Sequence, residues 1–111
     1  MSSKEPKCRI TVLKRTLNSD LLKEYLSEEY QGLAACDRLH DSQEFLLEGF
    51  EKLASVPEGF CDWAWADIRQ EILRVAWGGD QPGLRQPGVA IAGCTDWFRP
   101  VIFKIERIED E

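Results

Sequence analysis

From Cys8 to Leu17 apolar and polar residues alternate, Ile10 and Val12 against Arg9 and Thr11, in a segment with several β-branched side chains. This two-residue period predicts a half-buried strand, because successive side chains of an extended chain point to opposite faces. Behind Asn18-Ser19-Asp20, whose short polar side chains suit a helix start, Leu21, Leu22, Tyr25 and Leu26 recur at helical spacing. That helix is expected to end near Tyr30 or Gly32. A mobile loop from about Gln31 to Ser42 should lead to a second strand, Gln43 to Glu48, with Phe45 and Leu47 on one face and Leu46 on the other.

The longest periodic segment starts near Asp62, read as its N-cap, and stops at Gly78-Gly79, where glycine can take the left-handed conformation that closes a helix. Successive residues turn by roughly 100°, which gathers Ala64, Trp65, Ile68, Ile72, Val75 and Ala76 into one stripe. That stripe is core. The opposite side carries Trp63, Gln70 and Trp77 at every seventh position, flanked by Ala66, Asp67 and Arg74. After a connection rich in Gly, Pro and Gln, Gln81 to Pro87, the chain closes as a hairpin of Gly88 to Cys94 and Pro100 to Ile108 joined by Thr95-Asp96-Trp97-Phe98-Arg99.

The order strand, helix, strand, helix, strand, strand predicts a single α+β domain over residues 1–111, a mostly antiparallel sheet with helices on one face. Residues 1–6 and 109–111 are expected to be flexible ends. A length of 111 residues suits one domain, and 43% apolar with 31% charged residues is an ordinary globular composition. A formal charge of −6 argues against nucleic acid, whose binding depends on Lys and Arg displacing counterions. No apolar run approaches the roughly 20 residues of a membrane helix, so the chain is expected to be cytoplasmic, without a membrane partner.

Four cysteines, Cys8, Cys36, Cys61 and Cys94, are widely spaced, with none of the short spacings of zinc or thioredoxin-like sites. No metal is therefore expected, although Cys36, Cys61 and Cys94 fall at element edges where segments can converge into a metal or redox cluster. Neither a P-loop nor GxGxxG occurs, and no organic cofactor is expected.

The candidate chemistry lies on the outer face of the long helix and in the last hairpin. Trp63 and Trp77 can wall an apolar pocket into which Asp67 or Gln70 projects, and burial beside indole would tune a carboxylate for proton transfer. Asp96, Trp97 and Arg99 share one loop, where Arg99 can clamp an anion or simply pair with Asp96. His40 is the sole histidine and so a candidate base, with Cys36 near it in sequence. The reading that follows is a small cofactor-independent enzyme of isomerase, lyase or cyclase type acting on a small, partly apolar molecule. Asp67 serves as acid or base, with His40, Cys61 and Cys94 as other participants. The alternatives are a non-catalytic interaction module or homodimer using the tryptophan face, and a cysteine-centred metal or redox site.

Lys7-Cys8-Arg9-Ile10-Thr11-Val12-Leu13-Lys14-Arg15, Gln43-Glu44-Phe45, Pro57-Glu58-Gly59-Phe60-Cys61, Ala64-Trp65-Ala66-Asp67-Ile68, Gly78-Gly79, Cys94-Thr95-Asp96 and Arg99-Pro100-Val101 together resemble a family of small, largely uncharacterised microbial proteins. The resemblance spans nearly the whole chain and implies no particular activity. The pattern of that family has Pro after the position of Cys36, and Gly at those of Ser42 and Trp97. The departures at Asp37, Ser42 and Trp97 lie in loops around the candidate site, as a specialised ligand or altered activity would require.

Overall fold

The computed structural model describes residues 5–109, and strand β1, Lys7–Arg15, lies at the middle of its sheet. It is followed by α1, Ser19–Tyr25, a single 3₁₀ turn at Glu28–Tyr30, β2, Glu44–Glu48, the one-turn α2, Phe50–Leu53, the long α3, Asp62–Ala76, then β3, Val89–Gly93, and β4, Val101–Arg107. The strand order is β2-β1-β4-β3 and every pairing is antiparallel. The α+β order is as expected, with the added turn of α2, too short to leave a periodic signal in the sequence. No helix among the described residues is long and apolar enough to cross a membrane.

Register decides which side chains are buried. Ile10 lies between Phe45 and Ile105, and Ala90 lies opposite Ile105, so these four side chains share the face toward α3. Cys8, Val12, Leu47, Val101 and Phe103 complete that face. From the other side α3 contributes Ala64, Trp65, Ile68, Ile72, Val75 and Ala76, the stripe that helical periodicity picks out. The helix lies across β3, β4 and β1, while α2 packs beside β2.

The ends of α3 are sharp. Gly78 takes φ 97°; its N–H bonds the Val75 carbonyl, and the Gly79 N–H bonds that of Arg74, the paired closure of a Schellman motif. Arg107 adds a second cap, Nη1 donating to the Val75 oxygen at 2.9 Å. At the other end the N-cap is Cys61, one residue before the expected Asp62, and its side chain makes no capping hydrogen bond. Asn18 is the N-cap of α1, yet its amide donates to the Trp97 carbonyl rather than capping. That helix also stops earlier than its apolar spacing suggests, because the Gln31 side chain turns back to the carbonyls of Leu22 and Leu26.

The segment expected to be a mobile loop is pinned. The β1–β4 register shifts between Val12 and Lys14, so Leu13 stands outside the ladder and Arg15 pairs with Val101. Without that bulge Arg15 would face the opposite side of the sheet. It instead reaches the loop, donating to the Cys36 carbonyl at 2.9 Å and to Asp41 at 3.0 Å. Leu39, 1% exposed, anchors the loop in the core.

Among the presumed flexible ends, residues 1–4, 110 and 111 lie outside the described residues. Glu5 and Pro6 are held: the Glu5 carboxylate accepts the Phe50 N–H at 3.0 Å, and the Pro6 carbonyl accepts that of Gly49 at 2.9 Å.

Two predictions follow from the packing. Cys8 is fully buried, and burial pushes its thiol from 9.0 up to about 11, partly offset by Arg107. The folded state resists deprotonation there, so the contribution of Cys8 is intact below pH 9 and is lost as pH rises toward 11, by roughly 2–3 kcal/mol. Urea unfolding across that range should show a steeper alkaline decline for the natural chain than for Cys8→Ala. Ser42 has φ 69°, a left-handed conformation costly for a residue with a Cβ. Ser42→Gly should raise stability by roughly 0.5–1 kcal/mol, seen as a higher unfolding midpoint at unchanged slope.

Candidate functional site

Three segments distant in sequence meet at the start of α3. They enclose a cleft of about 280 Å³ lined by Cys36, Arg38, Cys61, Trp63, Cys94, Asp96 and Arg99. Each segment is positioned for a physical reason. Arg15 holds the backbone at Cys36. Cys61 and Trp63 are placed by α3, where the first backbone N–H groups have no partner within the helix. Cys94 directly follows β3, its N–H bonded to the Val101 carbonyl at 3.1 Å, while its sulfur accepts the Val101 N–H at 3.4 Å.

The loop between β3 and β4 is fastened on both sides. The Thr16 hydroxyl and N–H both donate to the Pro100 carbonyl, at 2.8 and 2.9 Å, and the Asn18 N–H donates to Phe98. Toward α3, the Thr95 N–H and hydroxyl donate to one carboxylate oxygen of Asp67 at 2.7 and 2.9 Å, and the Trp63 indole N–H donates to the Thr95 hydroxyl at 2.8 Å. Asp67 thus terminates a chain of hydrogen bonds that locks helix to loop and fixes the Trp63 ring at the cleft. It does not itself line the cleft.

This rearranges the expected site. Trp63 and Trp77 share a helix face but not a pocket, because fourteen residues at about 1.5 Å each separate them by roughly 21 Å along the axis. Trp77 stacks on Phe50 with ring centroids 5.3 Å apart, at the opposite end of the helix. Both tryptophans are largely exposed, at 60% and 65%, as is Trp97 at 67%. Gln70 is exposed between them, and His40 is an exposed loop residue whose N–H bonds the Gln43 side chain. None of Trp77, Trp97, Gln70 or His40 lines the cleft. Asp96 and Arg99 do, joined by an ion pair of 3.1 Å.

Cys36, Cys61 and Cys94 are therefore neighbours of one cavity, partly buried against the core. Among the described residues no three His, Cys, Asp or Glu side chains come together as a metal ion requires. Arg38 was not singled out by sequence; its only signal was proximity to Cys36. It has no hydrogen bond or ion pair among the described residues. Comparison with protein-family models, with curated proteins and with solved structures gives no match.

The Asp67 network makes a stability prediction. Asp67→Ala and Thr95→Val should each destabilise by about 1–2 kcal/mol, since each breaks a charge-assisted hydrogen bond at a half-exposed site. The double variant should lose less than the sum of the two, because both changes act on the same bonds; denaturant midpoints of the four proteins measure this.

Proposed function

We propose that the protein is a small enzyme catalysing proton transfer, of isomerase or lyase type, on a small and partly apolar molecule held in this cleft. Cys61 and Cys94 act as acid and base, Trp63 supplies the apolar wall, and Asp67 supports the wall instead of moving the proton. The observation that carries the reading is the convergence of three thiols, an indole and two guanidiniums on one cavity, built from segments that the fold fastens individually. A cavity of about 280 Å³ falls just below the range for drug-sized ligand pockets, about 300–1,000 Å³, and so suits a smaller molecule.

Two thiols suit this chemistry without a further reagent. One sulfur in its thiolate form takes a proton from an acidic C–H, leaving the electron pair on the substrate carbon. The second returns a proton to the same carbon in an isomerisation, or to a departing group in an elimination. The Val101 N–H at the Cys94 sulfur orients that group while leaving it at the cleft wall. Arg99, braced by Asp96, is placed to hold charge that develops on the substrate.

The test is solvent deuterium uptake into a panel of small 2-oxo, 2-hydroxy and 2-amino acids, their esters and their amides, followed by NMR in D2O. The expected result is catalysed exchange that falls at least about 100-fold in Cys61→Ser or Cys94→Ser. Exchange that survives both substitutions removes the thiols from the mechanism, and a panel without exchange counts against proton transfer.

A further inference from the structure

We infer that the cleft takes a monoanionic ligand, a small carboxylate whose charged end meets Arg38 and Arg99 and whose apolar body lies against Trp63. This inference rests on the reading of the cleft as the functional site and adds the class of molecule it accepts.

Charge distribution carries it. The protein has 20 acidic residues against 14 Lys and Arg, and most of its arginines are matched by acids: Arg9 with Glu106, Arg15 with Asp41, Arg74 with Glu71, and Arg107 with Asp80 and Glu109. Arg38, like Arg69 and Arg85, has no such partner among the described residues, and it lines the cleft of an acidic protein. Inside the cleft Asp96 offsets Arg99, and while the thiols carry their protons the two guanidiniums with one carboxylate leave a single positive charge. Other hollows on the surface differ: that of Glu44, Lys52 and Glu58 has an acidic excess, and that of Glu5, Lys7, Arg107 and Glu109 is balanced.

The geometry limits the anion further. Arg99 bonds Asp96 through Nε, which leaves its terminal nitrogens for a ligand, and a planar guanidinium is suited to a planar carboxylate. One net charge matches a monoanion better than a phosphate dianion. Trp63 is held by its N–H to Thr95, so its ring face offers a fixed apolar surface beside the two guanidiniums.

The experiment is an NMR titration of the full chain that follows the Trp63 indole N–H and the arginine Nε–H signals. The probes are acetate, butyrate, benzoate and 3-phenylpropionate, each against its own neutral amide, with inorganic phosphate as the dianion. The carboxylates should shift the Trp63, Arg38 and Arg99 signals, the larger ones at lower concentration, and bind at least about tenfold tighter than their amides. Arg38→Gln should weaken benzoate by about tenfold without moving the unfolding midpoint, since Arg38 is exposed and makes no bond within the described residues. Equal binding of acid and amide overturns the inference, as does unchanged affinity in Arg38→Gln, phosphate binding tighter than every carboxylate, or the absence of any carboxylate shift at these signals. Carboxylate binding without deuterium exchange leaves this inference standing and removes proton transfer; exchange confined to neutral esters and amides does the reverse.

Discussion

The burial of one face of α3 against one face of the sheet is the constraint on which the rest of this structure depends. Ile68, Ile72 and Val75 on the helix and Ile10, Phe103 and Ile105 on the strands are fully buried, each contributing about 1.5–3 kcal/mol by removal from water. The ion pairs on the molecule, mostly partly exposed, contribute about 0–1 kcal/mol each. Apolar burial therefore fixes the axis and rotation of α3, and the polar groups add local detail. Because rotation is fixed, the side chains at its start, Cys61 and Trp63, have set directions relative to the sheet ends. The cleft is a consequence of where that helix begins.

Loops around such a site need separate fastening, since they contribute little apolar surface of their own. The bulge at Leu13 turns Arg15 toward the Cys36 loop, and Leu39 inserts into the core. Asp67 and Thr95 bind the β3–β4 loop to α3. These interactions use side chains that would otherwise be read as chemistry. An aspartate beside a tryptophan on a helix has the appearance of a tuned acid; here its carboxylate oxygen is occupied by two donors from Thr95 and does not face the cleft.

Legibility in the sequence follows the range of the interaction. The strands and the buried stripe of α3 are written in short periods, and the Gly78-Gly79 closure in a two-residue signal, so both can be read locally. The end of α1 depends on the Gln31 side chain returning to Leu22, and α2 is a single turn without a period. The direction of Arg15 depends on a bulge against β4, some ninety positions away in the chain, which no local pattern encodes. The convergence of Cys36, Cys61 and Cys94 is of the same kind, because cysteine spacing is informative only when ligands come from one short segment. The separation of Trp63 from Trp77 needed no structure at all. Seven-residue spacing gives a common face, whereas the rise per residue gives distance, and both are required before two side chains can be assigned to one pocket.

The sheet edges bear on how the exposed aromatic residues are understood. At β3 the Gln81 amide imitates a neighbouring strand, its oxygen accepting the Ile91 N–H at 2.9 Å and its nitrogen donating to the Ile91 carbonyl at 3.2 Å. An edge covered in this way resists pairing with another chain. Trp63, Trp77 and Trp97 are each more than half exposed, yet they occupy different settings: a cleft wall, a stack on Phe50, and a loop tip. A single docking face would place them side by side. Their dispersal means that the tryptophan content of the chain points to no common purpose, and that Trp63 must be interpreted by its neighbours. Those neighbours are the guanidiniums of Arg38 and Arg99 and the thiols of Cys36, Cys61 and Cys94, which the fold gathers from three separate segments.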